Sequence, residues 1–180
     1  MRTLALGTTL VASALVAPQA VARDAAVTGQ EGAGTSVQLS AAGAQNAQTR
    51  AIAAAAPAAV SASAPLCGSG YELEFAERLP DSRRHGTLFS YVKSTVDKHG
   101  VCVVFDNNTS SAKKMKLKLC PNLTGATCKV DKGTYSQYAG PLKYESSNGP
   151  HVMCSEVTAL MWDSNGKAII DRVRSATLCD

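Results

Sequence analysis

Three lysines alternate with three apolar residues along Lys114-Met115-Lys116-Leu117-Lys118-Leu119. A period of two puts the ammonium groups on one face of a strand and the apolar groups on the other. Such a row is a solvated face, a guard against edge-to-edge pairing, or a dock for an anionic wall polymer. Directly after it, Cys120 and Cys128 bracket the sequence Pro-Asn-Leu-Thr-Gly-Ala-Thr. A disulfide across so short a loop makes it rigid before it meets a partner, which lowers the ordering cost of binding. Protease inhibitors use loops of this kind, and Leu123 is its one apolar anchor. The plainer reading is a hairpin staple.

Catalytic chemistry has little to stand on. His85, His99 and His151 lie in or beside loops at unrelated spacings, and no nucleophile-elbow, zinc-protease or Walker pattern occurs. Six cysteines without any Cys-x-x-Cys argue against zinc and for oxidation. Asp163-x-Asn165-Gly166 resembles the start of a calcium loop, but the later ligands and the closing Glu are missing. A hairpin turn accounts for it better. The sequence therefore predicts no enzyme, no cofactor and no metal.

The elements that carry these groups read as short strands. Tyr71–Phe75 alternates apolar and acidic, although Tyr71, Phe75 and Leu79 also fit a helical stripe. Thr87–Thr95 and Val101–Asp106 flank Asp97-Lys98-His99-Gly100, a hairpin signal. His151–Trp162 and Lys167–Arg174 flank Asn165-Gly166, the strongest short hairpin signal. Between the halves runs Asp131-Lys-Gly-Thr-Tyr-Ser-Gln-Tyr-Ala-Gly-Pro141. Gly133 and Gly140 permit unusual backbone, Pro141 fixes its own φ, and Tyr135 and Tyr138 supply two large rings. It reads as a shaped crossing between two halves of a β domain. About seven strands with frequent turns predict an all-β antiparallel sandwich or compact barrel, stapled by disulfides.

The domain occupies residues 67–180. All nine aromatics lie between Tyr71 and Trp162, and every cysteine lies at or beyond Cys67. Residues 1–22 read as a signal peptide: Arg2, an apolar run over Leu4–Val16, and Ala20-Val21-Ala22 with the cut before Arg23. Residues 23–66 are Ala-rich, with only Arg23, Asp24, Glu31 and Arg50 charged. They read as a disordered pro-segment or linker, with Ala51–Ala59 transiently helical up to Pro57 and Ala62-Ser63-Ala64 a second processing signal. On that reading a chain starting at Leu66 loses little stability. No second apolar stretch has membrane length. A net charge of +4 names no partner, and no basic aromatic motif points to nucleic acid. Export to an oxidising compartment makes three disulfides the expected state.

Six cysteines allow 15 full pairings. A turn centred on Thr124 sets Cys120 opposite Cys128. The Asn165-Gly166 turn pairs residues whose numbers sum to 331, so Cys154 faces Thr177 and Cys179 lies two positions on. One bulge or a frayed end brings that diagonal pair within disulfide reach. Cys67–Cys102 remains.

From Cys67 onward the chain resembles the spore-associated protein A family of streptomycetes. The likeness is carried by Cys67-Gly-Ser-Gly-Tyr71, by Gly86-Thr87 leading into the Tyr91 strand, and by Cys102-Val-Val104. Gly133-Thr-Tyr-Ser-Gln-Tyr-Ala-Gly-Pro141 carries most of it, and Cys154 and Cys179 complete it. Cys120 and Cys128 look like an added pair, and Ser155-Glu156-Val157 is more polar than the family pattern. The resemblance implies a small secreted protein at the spore or cell surface, with no catalytic residues to transfer. The resulting expectation is a non-enzymatic surface protein whose partner is a cell-wall or spore-surface polymer. The alternatives are a protease inhibitor acting through the Cys120–Cys128 loop and a small-ligand carrier.

Overall fold

The computed structural model describes residues 37–80 and 83–179. The expected signal peptide, its cut before Arg23 and the first part of the Ala-rich segment lie outside these residues. Eight strands form two antiparallel four-stranded sheets, one more strand than the sequence predicts. The first sheet holds β1 (Glu72–Leu79), β2 (Gly86–Ser94), β3 (His99–Asn107) and β6 (Tyr138–Ser146), in the order β1-β2-β3-β6. The second holds β4 (Lys113–Cys120), β5 (Lys129–Tyr135), β7 (Glu156–Trp162) and β8 (Ala168–Ser175), in the order β5-β4-β7-β8. The sandwich is closed by alternation. Met115, Leu117 and Leu119 meet Val157, Ala159 and Met161 beside them and Val101, Val103 and Phe105 from the first sheet. At one edge Glu77 of β1 accepts from Arg172 (2.7 Å) and Arg174 (3.0 Å) of β8, and Arg174 also covers the Phe75 ring.

The main departure from expectation is a third layer. Residues 37–66 are not a tail: α1 (Ala41–Gln45), α2 (Ala47–Ala55) and α3 (Pro57–Cys67) pack on the outer face of the first sheet. Ile52 and Val60 enter a second core with Leu73, Phe89, Tyr91 and Val104. Small residues line this contact: Ala53, Ala59 and Ala64 pack against the second core. A Cβ at Gly43 would lie 2.2 Å from the Leu73 carbonyl oxygen. Polar stitches fix the layer. Ser40 N–H donates to the Leu73 carbonyl, Leu73 N–H donates to the Gln38 carbonyl, and Ala76 N–H donates to Thr49 Oγ1 (3.2 Å). Pro57 does not merely interrupt a helix; it opens α3 at a position where its missing N–H costs nothing. Ala62-Ser63-Ala64 lies inside α3, with Ser63 buried 2.6 Å from the Tyr91 hydroxyl, so it is not an open processing site.

The strand over Tyr71–Phe75 also departs from strict alternation. A bulge between Leu73 and Phe75 turns Leu73 toward the helices and Phe75 toward the second sheet. Glu74, expected on an open face, is buried at the bulge, where it accepts from Ser40 Oγ (2.6 Å) and Leu178 N–H (3.2 Å).

The Asp131–Pro141 stretch carries the chain from β5 in the second sheet to β6 in the first. Tyr135 packs against the core between the sheets and Tyr138 against the core under the helices. The Asp131 carboxylate accepts from the Tyr135 hydroxyl and from Gly140 N–H (2.7 Å), pinning both ends of the crossing. The Tyr135 ring covers Gly133, where a Cβ would meet it at 2.7 Å. Gly140 has φ +96° and its hydrogen faces the Val103 carbonyl and Leu117. Gly140→Ala combines a left-handed backbone with two contacts at 2.9 Å, and should destabilise by about 2–3 kcal/mol, read by urea denaturation. A change below about 0.5 kcal/mol, the level of an ordinary surface substitution, would show that the crossing tolerates a side chain there.

All three expected disulfides form: Cys67–Cys102, Cys120–Cys128 and Cys154–Cys179. The β7–β8 register sums to 331 from Glu156–Ser175 to Met161–Ile170, and a bulge follows at Trp162. Cys154 N–H duly meets Thr177 Oγ1 at 2.9 Å. Asp163 Oδ1 accepts from Asn165 N–H and Lys167 N–H, so this acid caps the hairpin turn.

Asp106 is half-buried on the helix-covered face, beside Thr87 and Tyr138 in the register. Burial raises its pKa, partly offset by the Asn107 amide. An acid raised in the fold stabilises it fully below the unfolded pKa, and that contribution disappears as pH climbs through the folded one. Asp106→Asn should therefore raise the melting temperature at neutral pH, with the gain vanishing below about pH 4. A gain that persists unchanged in acid would contradict this.

Candidate functional site

The lysine row lies on the outer face of the second sheet. Alternation sends Met115, Leu117 and Leu119 fully inward, so Lys114, Lys116 and Lys118 point away from the core. β4 is an interior strand of its sheet, which removes the edge-guard reading. Its neighbours extend the row into a patch. Lys116 pairs with Lys132 of β5 and Leu160 of β7, Lys118 with Val130 and Thr158, and Lys114 with Thr134 and Trp162. The Lys114 ammonium stands 5.7 Å from the centre of the Trp162 ring. Val130 and Val173 flank the patch at 52% and 53% exposure. Among the described residues the ion pairs involve Lys98, Arg172 and Arg174, and none of these four lysines. The two outer faces of the sandwich thus differ: one lies under helices, the other carries four lysines that form no ion pair among the described residues, with Trp162 beside Lys114 and the exposed Asp171 and Glu156 farther along the same face.

Lys132 and Trp162 escape a reading of the sequence by local pattern. For Lys132 a signal did exist. The turn that sets Cys120 opposite Cys128 pairs residues summing to 248, and Lys116 with Lys132 obeys the same sum. Trp162 reaches the patch through the β4–β7 pairing, which no local turn encodes.

The other predicted positions are placed elsewhere. Leu123 is exposed in the Cys120–Cys128 loop, but the loop is folded on itself and on a short helix, α4 (Gly149–Val152). Leu123 N–H donates to the Pro121 carbonyl, Ala126 N–H to the Leu123 carbonyl, and Asn122 N–H to the His151 carbonyl. Gly133, Tyr135, Tyr138, Gly140 and Pro141 serve the crossing between the sheets.

A cleft of about 480 Å³ opens beside the β2–β3 turn, walled by Val92, Pro150 and Met153 with Glu74, Ser94 and His99 at its polar side. Ser94 Oγ is 3.1 Å from His99 Nδ1. A nucleophile–base pair usually needs a third group to orient the imidazole. Among the described residues no carboxylate is hydrogen-bonded to His99. Around the cleft, Glu145 joins Lys98 (2.6 Å) and the Tyr71 hydroxyl (3.0 Å). Lys98 first, and Tyr71 second, hold its carboxyl below the ordinary range, while burial and then Glu145 push the Tyr71 phenol up. Burial likewise pushes Tyr91 up to about 12, keeping its hydroxyl protonated against Ser63 and the Val60 carbonyl. No group of three His, Cys, Asp or Glu side chains suited to a metal occurs among the described residues. No single described helix is long and apolar enough to cross a membrane.

No family model, curated protein or solved structure matches the chain.

Proposed function

We propose that this is a secreted, non-enzymatic protein of the cell or spore surface that adheres to an anionic polymer through the outer face of its second sheet. The observation that carries the reading is the set of four lysines on that face, which form no ion pair among the described residues and outnumber the two acids there, Asp171 and Glu156. Lys116 and Lys132 stand directly opposite on neighbouring strands, where like charges repel. A linear polyanion turns that repulsion into attraction and releases its counterions on binding. Three disulfides support an extracellular setting, where such polymers are found. The resemblance of the Cys67–Cys179 region to spore-associated proteins points the same way.

The test is sedimentation of purified protein with isolated walls and spores across a salt series. Binding should weaken steeply with salt, and the fourfold Lys→Gln variant at 114, 116, 118 and 132 should stay in the supernatant. Equal retention of that variant would remove the lysine face from the function.

A further inference from the structure

We infer that the polymer is a phosphodiester of a three-carbon polyol, lying along β4 with successive phosphates at Lys114, Lys116 and Lys118. This rests on the adhesion reading above and adds the chemical class of the partner. Alternate residues of a strand recur every 6.8 Å or so, and six backbone bonds separate them. A 1,3-linked glycerol phosphate chain also places six bonds between phosphorus atoms: P–O, O–C, C–C, C–C, C–O and O–P. Six extended bonds of such lengths span about 6.6–7.2 Å, so phosphates and lysines keep step. A five-carbon polyol phosphate has eight bonds per repeat, about 9 Å, and is out of step by the third lysine.

The cross-strand geometry supplies a second observation. Lys116 and Lys132 are direct partners on neighbouring strands. Like charges so placed destabilise the free protein. A phosphodiester has two free oxygens, one for each ammonium, and lysine binds phosphate as a point charge. The pair is then a two-sided grip at the centre of the row. A sugar–phosphate strand of nucleic acid has the same six-bond repeat, but its bases call for stacking platforms. The one aromatic ring on this face, Trp162, already lies beneath Lys114.

The experiment measures binding of the full chain to four polyanions of equal charge: oligo(1,3-glycerol phosphate), oligo(1,5-ribitol phosphate), an oligouronate and oligo(dT). Wild type should bind the glycerol phosphate at least about fivefold tighter than each of the others, the effect of one well-placed lysine. Lys116→Gln and Lys132→Gln should each weaken that binding about fivefold and lower the salt slope by about 0.7. Each should also raise the melting temperature by a degree or more by removing the like-charge pair, a readout that a merely structural role would move the other way. Equal binding of all four polymers, abolished in the fourfold variant, would overturn the phosphodiester inference and leave anionic adhesion standing. Tighter binding of oligo(dT) would also overturn it. Wild-type-like binding by the fourfold variant would overturn both.

Discussion

A chain that begins at Leu66 should not hold the native fold. Removing residues 37–65 uncovers Leu73, Phe89, Tyr91 and Val104, each essentially fully buried, on one continuous sheet face. Fully burying a side chain of this size contributes about 1.5–3 kcal/mol, so the four together approach the whole stability of a typical domain. The deletion also exchanges the Ala76 N–H bond to Thr49 and the Tyr91 hydroxyl bonds to Ser63 and Val60 for bonds to water. We expect insoluble protein, or a soluble form with high hydrophobic-dye binding and no cooperative melt. A milder probe is Gly43→Leu, whose Cβ would overlap the Leu73 carbonyl and lift α1 from the sheet. A truncated chain that melts within a few degrees of the full one would mean that the helices rest on the sheet without supporting it.

The second large effect concerns the staple between the two layers. Cys67 ends α3 and Cys102 lies mid-β3, 35 residues later, with both side chains in the core under the helices. In the chain-entropy model, losing a link across a loop of this length costs about 4 kcal/mol. Replacing both cysteines with alanine also removes two buried sulfur atoms from a packed core. The double variant should lose at least that much in guanidinium denaturation. The corresponding Cys120/Cys128 variant closes a shorter loop and should lose about 2.6 kcal/mol at most. If the Cys67/Cys102 variant were the milder of the two, the helical layer would be held by something other than this tether.

Turn chemistry explains why two of the disulfides were legible, and Cys67–Cys102 was the pair left over. Asn165-Gly166 fixes a register, and the register brings Cys154 to Thr177 and leaves Cys179 within reach. The alternation of Lys114–Leu119 told inside from outside on β4 for the same reason. The helical layer was hidden by the opposite circumstance. Alanine carries no periodic signal, and an alanine helix that folds only against a sheet resembles a segment with nothing to bury. The missing layer was nevertheless announced in β2 and β3. Leu88-Phe89-Ser90-Tyr91 and Val101–Phe105 are apolar on both faces, and a strand apolar on both faces must be covered twice. The first sheet therefore needed a cover, and among the described residues the stretch 37–66 supplies it. The lysine face was legible along β4, and the Cys120–Cys128 turn could have added Lys132, but Trp162 joins it only through the β4–β7 pairing.

The most direct test of adhesion is a residue-resolved NMR titration of the full chain with short glycerol phosphate oligomers at low salt. Adhesion through this face requires shifts at Lys114, Lys116, Lys118 and Lys132 and at the Trp162 indole N–H, reversed by added salt. Shifts centred instead on Ser94, His99 and Met153, or on Leu123 and its loop, would contradict it and place the binding surface elsewhere.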